Sequence, residues 1–218
     1  MLKRVILWDW NGTLLNDVQY AIDIRNKVFP RFGLPKIQDK AAYHEQFTFP
    51  VRVYYERAGV TRENFEAVAN AWMDAYVAGC HAVPLFEDAI LTLNRFSLAG
   101  FAQVVLSASQ EDNLRLQLAH AGILDRFYDV LGLSHIYATD KTHLAKAYLA
   151  NRRIDPADCV LLGDTVHDAL VAGSLKTDCI LIARGHMSKK RLLETQYPVC
   201  ASLSEAAELV LGRKTEHI

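Results

Sequence analysis

From about residue 84 onward, short apolar segments alternate with segments whose apolar residues recur at helical spacing, and this alternation constrains the fold most strongly. Strands are predicted over 101–106, 127–131, 159–162 and 178–183, with a short strand near Val199, and helices over 87–98, 112–121, 142–151, 166–172 and 204–211. Strands that alternate with helices form a parallel sheet with helices on both faces. The sequence therefore predicts an α/β fold.

The N-terminal part of the chain departs from this alternation. Val5–Trp8 is a short apolar run that predicts a buried strand, and Asn11-Gly12 predicts the turn that ends it. The next segments have helical spacing and are predicted as helices over 18–32, 41–58 and 62–79. We therefore expect a core formed by residues 1–16 and 83–218, with residues 17–82 inserted as a helical domain.

Polar residues follow three of the predicted strands, at the sheet edge where open α/β proteins bind their ligands. Asp9 follows the first strand and Ser107 follows strand residues 103–106, whereas Asp164 and Asp168 follow 159–162. Asp164 and Asp168 are one helical turn apart, so both carboxylates can reach one hard cation. Taken singly, these acids could belong to a capped helix. Ser107 could be a turn or cap residue, although Ser109 is nearer to the helix that begins around residue 112.

Four segments resemble, in order, the motifs of the haloacid dehalogenase superfamily, and most closely its phosphoglycolate phosphatase-like branch. They are Asp9-Trp10-Asn11-Gly12-Thr13-Leu14, Ser107, Lys141 and Gly163-Asp164 with Asp168. Lys141 lies 23 residues before Asp164, the usual spacing in the family, and Lys146 is the alternative lysine. The resemblance implies a Rossmann-like parallel core, an α-helical cap and hydrolase activity, most often phosphatase activity.

The resemblance also implies roles for individual residues. Asp9 would be the nucleophile that forms an aspartyl-phosphate, and Mg²⁺ would be held by Asp9, the backbone carbonyl of Asn11, Asp164 and Asp168. The phosphoryl oxygens would be bound by Ser107, Ala108, Lys141 and backbone N–H groups at Gly12 and Thr13. The substrate would be a small phosphorylated metabolite.

Asn11 is the main departure from the family pattern, which has an acid at this position. An amide has no proton to give to a leaving group, and general acid–base catalysis is worth roughly 10²–10⁴ in rate. Three outcomes remain open: the substrate has a good leaving group, another group such as Asp17 or a cap side chain supplies the proton, or turnover is weak. Family members usually carry an acid seven residues after the nucleophile. Here that position is Asn16, and Asp17 comes one residue later.

Two other functions remain as alternatives. One is a phosphoester-binding or regulatory protein with weak or no turnover. The other is a carbon–phosphorus hydrolase similar to phosphonoacetaldehyde hydrolase. The motif of that enzyme, Asp-Trp-Ala-Gly-Thr, is close to the one here. It also needs a cap lysine, and the candidates in this chain are Lys27, Lys36 and Lys40. The dehalogenase branch has Tyr at the position of Asn11 and no metal, so the pair Asp164/Asp168 argues against it.

Substrate specificity is expected to come from the helical insertion. The segment 47–52 resembles the cap loop of phosphoglycolate phosphatase relatives, and Arg52 is a candidate ligand for a carboxylate or second phosphate because guanidinium binds such groups bidentately. A surface arginine at a helix start is the alternative. Tyr54 and Tyr55 are expected to pack inside the cap. His186 follows the last strong strand and is expected near the entrance of the site.

Composition excludes several other classes of protein. The chain has 218 residues and a formal net charge of −1, which gives no overall attraction to nucleic acid or acidic membranes. No apolar run approaches the roughly 18 residues of a membrane span, and the apolar run 5–8 is too short for a secretory signal, so a cytoplasmic protein is expected. Four scattered cysteines without a Cys-x-x-Cys pair favour buried thiols over disulfides or zinc. Oligomeric state is left open.

Overall fold

The computed structural model describes residues 4–137 and 140–212, and within these residues six strands and ten α-helices form the fold. The strands are β1 Val5–Trp8, β2 Ala102–Gln110, β3 Asp129–Leu133, β4 Cys159–Gly163, β5 Asp178–Ile182 and β6 Val199–Cys200. The helices are α1 Val18–Val28, α2 Lys40–Gln46, α3 Val51–Arg57, α4 Phe65–Val77, α5 Ala89–Leu98, α6 Glu111–His120, α7 Thr142–Arg152, α8 Val166–Leu175, α9 Lys189–Leu192 and α10 Leu203–Gly212.

The six strands form one parallel sheet in the order β3-β2-β1-β4-β5-β6. The predicted α/β, Rossmann-like fold is thus confirmed. The chain builds one half of the sheet outward from β1 to β3 and then returns to place β4 on the other side of β1. The strand order therefore reverses between β1 and β4, and such a switch point opens a crevice at the carboxyl ends of the strands.

Both faces of the sheet are buried, which explains why β1 is apolar throughout. Val5 and Leu7 pack in one apolar cluster with residues of α7 and α8, whereas Ile6 and Trp8 pack in a second cluster with residues of α5, α6 and α10. A parallel sheet covered in this way needs apolar side chains on both faces. The four cysteines Cys80, Cys159, Cys179 and Cys200 are buried free thiols.

Helices α1 to α4 lie between β1 and β2, in the segment 17–82 that we call the helical insert. The two chain passages that flank it run side by side, since Asn16 N–H donates to the Pro84 carbonyl at 2.9 Å and Phe86 N–H donates to the Leu14 carbonyl at 3.0 Å. The single helix predicted over 41–58 is wrong, because the structure has α2 and α3 separated at 47–50. Pro50 has no N–H and restricts Phe49 to an extended backbone, so one helix cannot run through this point.

The remaining differences from the predicted elements are small. The predicted helix over 18–32 is α-helical to Val28 and then continues as a 3₁₀ turn that ends at Gly33, where φ is +72°. Strand β2 extends to Gln110, so Ser107 lies inside the strand and does not follow it. The four-residue helix α9 was not predicted. Among the described residues, no helix is long and apolar enough to cross a membrane.

Candidate active site

Three carboxylates and one lysine meet where the strand order reverses. Asp9 follows β1, Asp164 follows β4, and Asp168 lies in the first turn of α8, and one oxygen of each lies within 4.8 Å of the others. Lys141, directly before α7, places Nζ 2.6 Å from Asp9 Oδ1 and 2.8 Å from Asp168 Oδ1. Its third contact is a 3.0 Å hydrogen bond to the carbonyl of Leu106 in β2. The sheet therefore gathers residues that are up to 159 positions apart in the sequence, from Asp9 to Asp168.

Local hydrogen bonds fix Asp168 within this cluster. Asp168 Oδ2 accepts hydrogen bonds from the backbone N–H of Thr165 at 3.0 Å and from its hydroxyl at 2.7 Å. The Thr165 hydroxyl is in turn the N-terminal cap of α8, so the two residues form a reciprocal capping box. This arrangement leaves Oδ1 of Asp168 facing Lys141.

Asp164 is held by backbone groups that approach it closely. Its Oδ2 accepts the His186 N–H at 2.5 Å, and its Oδ1 accepts the Thr13 hydroxyl at 3.2 Å. Glycine is required on both sides of this carboxylate, because a Cβ at Gly12 or at Gly185 would overlap the Asp164 side chain. Gly12 also has a φ of +72°, which L side chains rarely adopt.

The carboxylates outnumber the cation in this cluster, and their pKa values reflect the imbalance. Burial raises the pKa of Asp9 to about 6 despite the opposing charge of Lys141. Burial also raises the pKa of Asp164 well above its usual range, with His186 opposing and with Asp9 and Asp168 adding to the shift. Asp168 is buried too, but Lys141 holds its pKa below the usual value. With all three carboxylates ionised, one ammonium leaves two negative charges, which a divalent cation would neutralise.

The donor set fits such a cation. All three side chains offer hard carboxylate oxygens, which suit Mg²⁺ better than they suit softer metals. Within the described residues, Asp9, Asp164 and Asp168 form the one group of three or more His, Cys, Asp or Glu side chains with metal-binding geometry.

The amide of Asn11 is held in place on both sides. Nδ2 donates to Asp17 Oδ2 and to the Tyr76 hydroxyl, both at 2.8 Å. Oδ1 accepts the hydroxyl of Ser109 at 2.9 Å. These partners require the amide nitrogen, and not the oxygen, to face Asp17. Asn11 therefore has a well-defined orientation in the structure even though it lacks an acidic proton.

Asp17 is a buried carboxylate that accepts hydrogen bonds on both oxygens. Oδ2 accepts from Asn11 and from the Tyr76 hydroxyl at 2.7 Å, and Oδ1 accepts from the Gly12 N–H at 2.8 Å and from His186 Nε2 at 3.1 Å. Burial acts to raise its pKa, but His186 and these hydrogen bonds outweigh it and lower the pKa below the usual value. Asp17 is thus ionised at neutral pH and holds no proton for a leaving group.

His186 pairs with Asp17 and connects the core to the helical insert. Burial acts to lower its pKa, but Asp17, Asp164 and Asp9 outweigh it and raise the pKa to about 9. The ring is then an imidazolium, which donates from Nε2 to Asp17 and from Nδ1 to the Tyr43 hydroxyl at 2.8 Å. Both N–H groups are therefore already engaged.

A cavity of about 150 Å³ opens above this cluster. Asp9, Ser107, Ala108, Lys141 and Asp164 lie on the core side of the cavity. The wall formed by the helical insert consists of Asp17, Ala21, Tyr43, Phe47, Phe49, Val51, Tyr54, Tyr55, Phe65, Ala69, Trp72, Met73 and Tyr76.

Some groups that were predicted to bind phosphoryl oxygens already make hydrogen bonds within the protein. The Gly12 N–H already donates to Asp17, so it does not point into the cavity as a free donor. Ser107 lines the cavity, and its Oγ accepts the Ser109 N–H at 3.1 Å. The Thr13 hydroxyl lies between Asp9 Oδ2, at 3.3 Å, and Asp164.

Arg52 is not brought to the cavity. Its side chain is 50% exposed, pairs with Glu56 at 3.2 Å and lies over the ring of Phe65. Lys146 is exposed on α7, whereas Lys141 is buried at the cluster. The insert lysines Lys27, Lys36 and Lys40 are exposed and do not line the cavity, so the structure places none of them for a Schiff base.

Sequence reasoning missed part of the site. The links through Tyr43, Tyr76 and Ser109 depend on the packing of the helical insert against the core, and no motif signals them. For His186 the signal was its position after β5, at the same edge of the sheet as Asp9. That position indicated proximity to the site but not the ion pair with Asp17.

Comparison with known proteins identifies the family of this chain. The family model of haloacid dehalogenase-like hydrolases matches residues 6–182. The chain therefore belongs to the haloacid dehalogenase-like hydrolase family. Comparison with curated protein sequences finds no significant match.

Solved structures share the fold over nearly the whole chain. A haloacid dehalogenase-like family hydrolase from Streptococcus pneumoniae superposes with a TM-score of 0.82 at 18% identity, covering 95% of this chain and 98% of the other. A predicted phosphatase from Clostridium acetobutylicum gives 0.84 at 18% identity, covering 97% and 100%. A predicted phosphoglycolate phosphatase from Haemophilus somnus gives 0.80 at 16% identity, covering 96% and 99%.

Proposed function

We propose that this hydrolase is a Mg²⁺-dependent phosphatase that cleaves small phosphate monoesters through an aspartyl-phosphate on Asp9. One observation carries the proposal: Asp9, Asp164 and Asp168 converge at the strand-order reversal, and Lys141 bridges Asp9 and Asp168. Such a cluster at the base of a cavity suits a divalent cation, which would screen the carboxylates from a bound phosphate group.

Asp9 has the properties that a nucleophile needs here. With a pKa of about 6 it is mainly ionised at neutral pH, and Lys141 holds Oδ1 in one orientation. Attack in line on phosphorus would form the acyl-phosphate and release the alcohol, and water would then hydrolyse that intermediate. Fixed geometry of this kind lowers the entropy cost of attack.

The other residues would bind the metal or the phosphoryl group and would screen charge. When bound, Mg²⁺ would be held by Asp9, Asp164, Asp168 and the Asn11 carbonyl, and it would offset the repulsion between the nucleophile and the phosphoryl group. Lys141 would add a fixed positive charge, and Ser107 with the neighbouring backbone of Ala108 would bind phosphoryl oxygens. The solved structures named as phosphatases support this assignment. We place the reaction in the cytoplasm.

Purified protein should release phosphate from acetyl phosphate, a small acyl phosphate with a very good leaving group, only when Mg²⁺ is present. Asp9→Asn should abolish this release, because an amide is a poor nucleophile. Asp23→Asn is the matched control, because it makes the same substitution at an exposed position of α1. If Asp9→Asn and the unaltered protein release phosphate at the same rate, the proposal is wrong. Release by neither protein above the spontaneous rate would favour a chain that binds phosphate esters without turnover.

A further inference from the structure

The wall that the helical insert contributes to the cavity is almost entirely uncharged. Aromatic rings dominate it, and they form three stacked pairs: Trp72 on Tyr76, with ring centroids 4.9 Å apart, Tyr43 on Phe47, at 5.2 Å, and Phe49 on the core residue His167, at 4.7 Å. The one charged side chain on this wall is Asp17, which is already paired with His186. A leaving group that meets this wall therefore meets mostly apolar surface, much of it aromatic.

In the described part of the chain, basic side chains of the helical insert contact other groups and do not line the cavity. Arg25 is buried, but it donates to the Pro35 carbonyl at 3.2 Å and to Gln46 at 3.3 Å. Lys40 donates to the Arg184 carbonyl at 3.0 Å, and Arg52 pairs with Glu56. None of the three lines the cavity. A carboxylate or second phosphate on the leaving group would thus lose its water without gaining a positive partner on this wall.

The groups around Asn11 offer no free proton to the departing oxygen. The Asn11 amide is not acidic, both carboxylate oxygens of Asp17 accept hydrogen bonds from neighbouring groups, and both ring nitrogens of His186 are directed at Asp17 and Tyr43. A leaving group that departs without protonation must be stable as an anion. Phenols meet this requirement far better than alkyl alcohols do.

From these observations we infer that the substrates are aryl phosphate monoesters, in which the leaving group is an uncharged aromatic ring bearing the phosphorylated oxygen. This inference rests on the proposed phosphatase function and specifies its substrate class. The cavity has a volume of about 150 Å³, and an engineered apolar cavity of about that volume holds one benzene ring, so the leaving group is limited to about a single ring.

The reaction balances without an added acid at the first step. An Asp9 carboxylate oxygen forms a bond to phosphorus, the bond from phosphorus to the aryl oxygen breaks, and the phenolate leaves with the electron pair. Water then attacks phosphorus, the bond to Asp9 breaks, and inorganic phosphate is released. The proton lost by that water neutralises the phenolate.

The test compares phenyl phosphate, benzyl phosphate, 2-phosphoglycolate and acetyl phosphate on the Mg²⁺-loaded full chain. We expect kcat/KM for phenyl phosphate to exceed that for 2-phosphoglycolate at least 100-fold, because the carboxylate is left unpaired. Benzyl phosphate has the ring but a poor leaving group, so it should show a similar KM and a kcat at least 100-fold lower. Equal or higher kcat/KM for 2-phosphoglycolate, with acetyl phosphate hydrolysed, would overturn the inference and leave the proposed function standing.

Binding provides a readout that does not depend on turnover. Phenylphosphonate should bind at least 10-fold more tightly than phosphonoacetate by calorimetry, and the reverse order would overturn the inference even in a chain that hydrolyses nothing.

A variant can reverse the selectivity. Met73→Arg places a cation on the cavity wall, and it should lower the kcat/KM ratio of phenyl phosphate to 2-phosphoglycolate at least 10-fold. Ala67→Arg adds the same charge at an exposed position of α4 and should leave that ratio within twofold of the unaltered protein. An unchanged ratio in Met73→Arg, in a variant that still melts cooperatively, would show that this wall does not contact the leaving group.

Discussion

Replacing Asn11 with aspartate should make the stability of the protein strongly dependent on pH. The substitution exchanges the amide nitrogen, which donates to Asp17 Oδ2 at 2.8 Å, for a carboxylate oxygen. Two unit charges at that separation repel by about 6 kcal/mol at an effective dielectric constant of about 20. This is an upper bound, because each charge is spread over two oxygens and His186 lies beside Asp17.

The protein can relieve this repulsion by keeping a proton between the two acids. The folded-state pKa of the pair then rises above the unfolded value of about 3.9 for a carboxyl group, so the folded state binds more protons than the unfolded state. Stability is therefore lost as pH rises from about 4 through the raised pKa. Near pH 5 the cost should be about 1 kcal/mol, for one lost hydrogen bond to Tyr76, and by pH 8 it should approach about 3–5 kcal/mol.

Urea unfolding of Asn11→Asp and the unaltered protein at pH 5, 6, 7 and 8, with chelator present, measures this difference directly. Taking the difference in free energy of unfolding cancels the titration of residues common to both proteins. Asn16→Asp is the matched control, because Asn16 is exposed and its change should cost under about 0.5 kcal/mol at every pH. A gap for Asn11→Asp that is constant from pH 5 to pH 8 would refute the reasoning.

Three further outcomes follow from the same site. Lys141→Met should destabilise the protein by about 3–5 kcal/mol in urea unfolding, because it leaves Asp9 and Asp168 buried without their cation. The control Lys146→Met, at an exposed position, should cost under about 0.5 kcal/mol. The interactions that raise the pKa of His186 stabilise the fold fully below about pH 6.5. This stabilisation is lost as pH rises through about 9, so the melting temperature should fall over this window. His186→Gln should flatten the fall, and His120→Gln should not. Mg²⁺ at about 100 times its Kd should raise the free energy of unfolding by about 2.7 kcal/mol, seen as a rise in melting temperature, and Asp164→Asn should largely remove this response.

The fold class could be predicted because each strand carries its own signal. β1, β4 and β5 are short apolar runs, and their predicted bounds differ from the observed ones by at most one residue. The signal is strong since both faces of these strands are buried, so nearly every position must be apolar. The long predicted helix over 41–58 was wrong because helical spacing continued on both sides of Pro50 and outweighed that single breaker.

The positions of the acids could be predicted for a similar reason. In a parallel sheet, residues that follow β1 and β4 emerge at one edge, so Asp9 and Asp164 are brought together by topology alone. The sequence spacing also favoured Lys141 over Lys146, and the structure places Lys141 beside Asp9 at 2.6 Å. Their catalytic roles stay predictions until turnover is measured.

Only the tertiary structure decided what surrounds Asn11 and what the cavity can accept. The sequence by itself determined a parallel α/β core with acids at one edge, because burial and strand direction act on each segment locally. The links from Asn11 to Tyr76 and from His186 to Asp17 and Tyr43 join residues 65, 169 and 143 positions apart. Such contacts depend on how the helical insert packs on the core, and no local pattern in the chain encodes that packing.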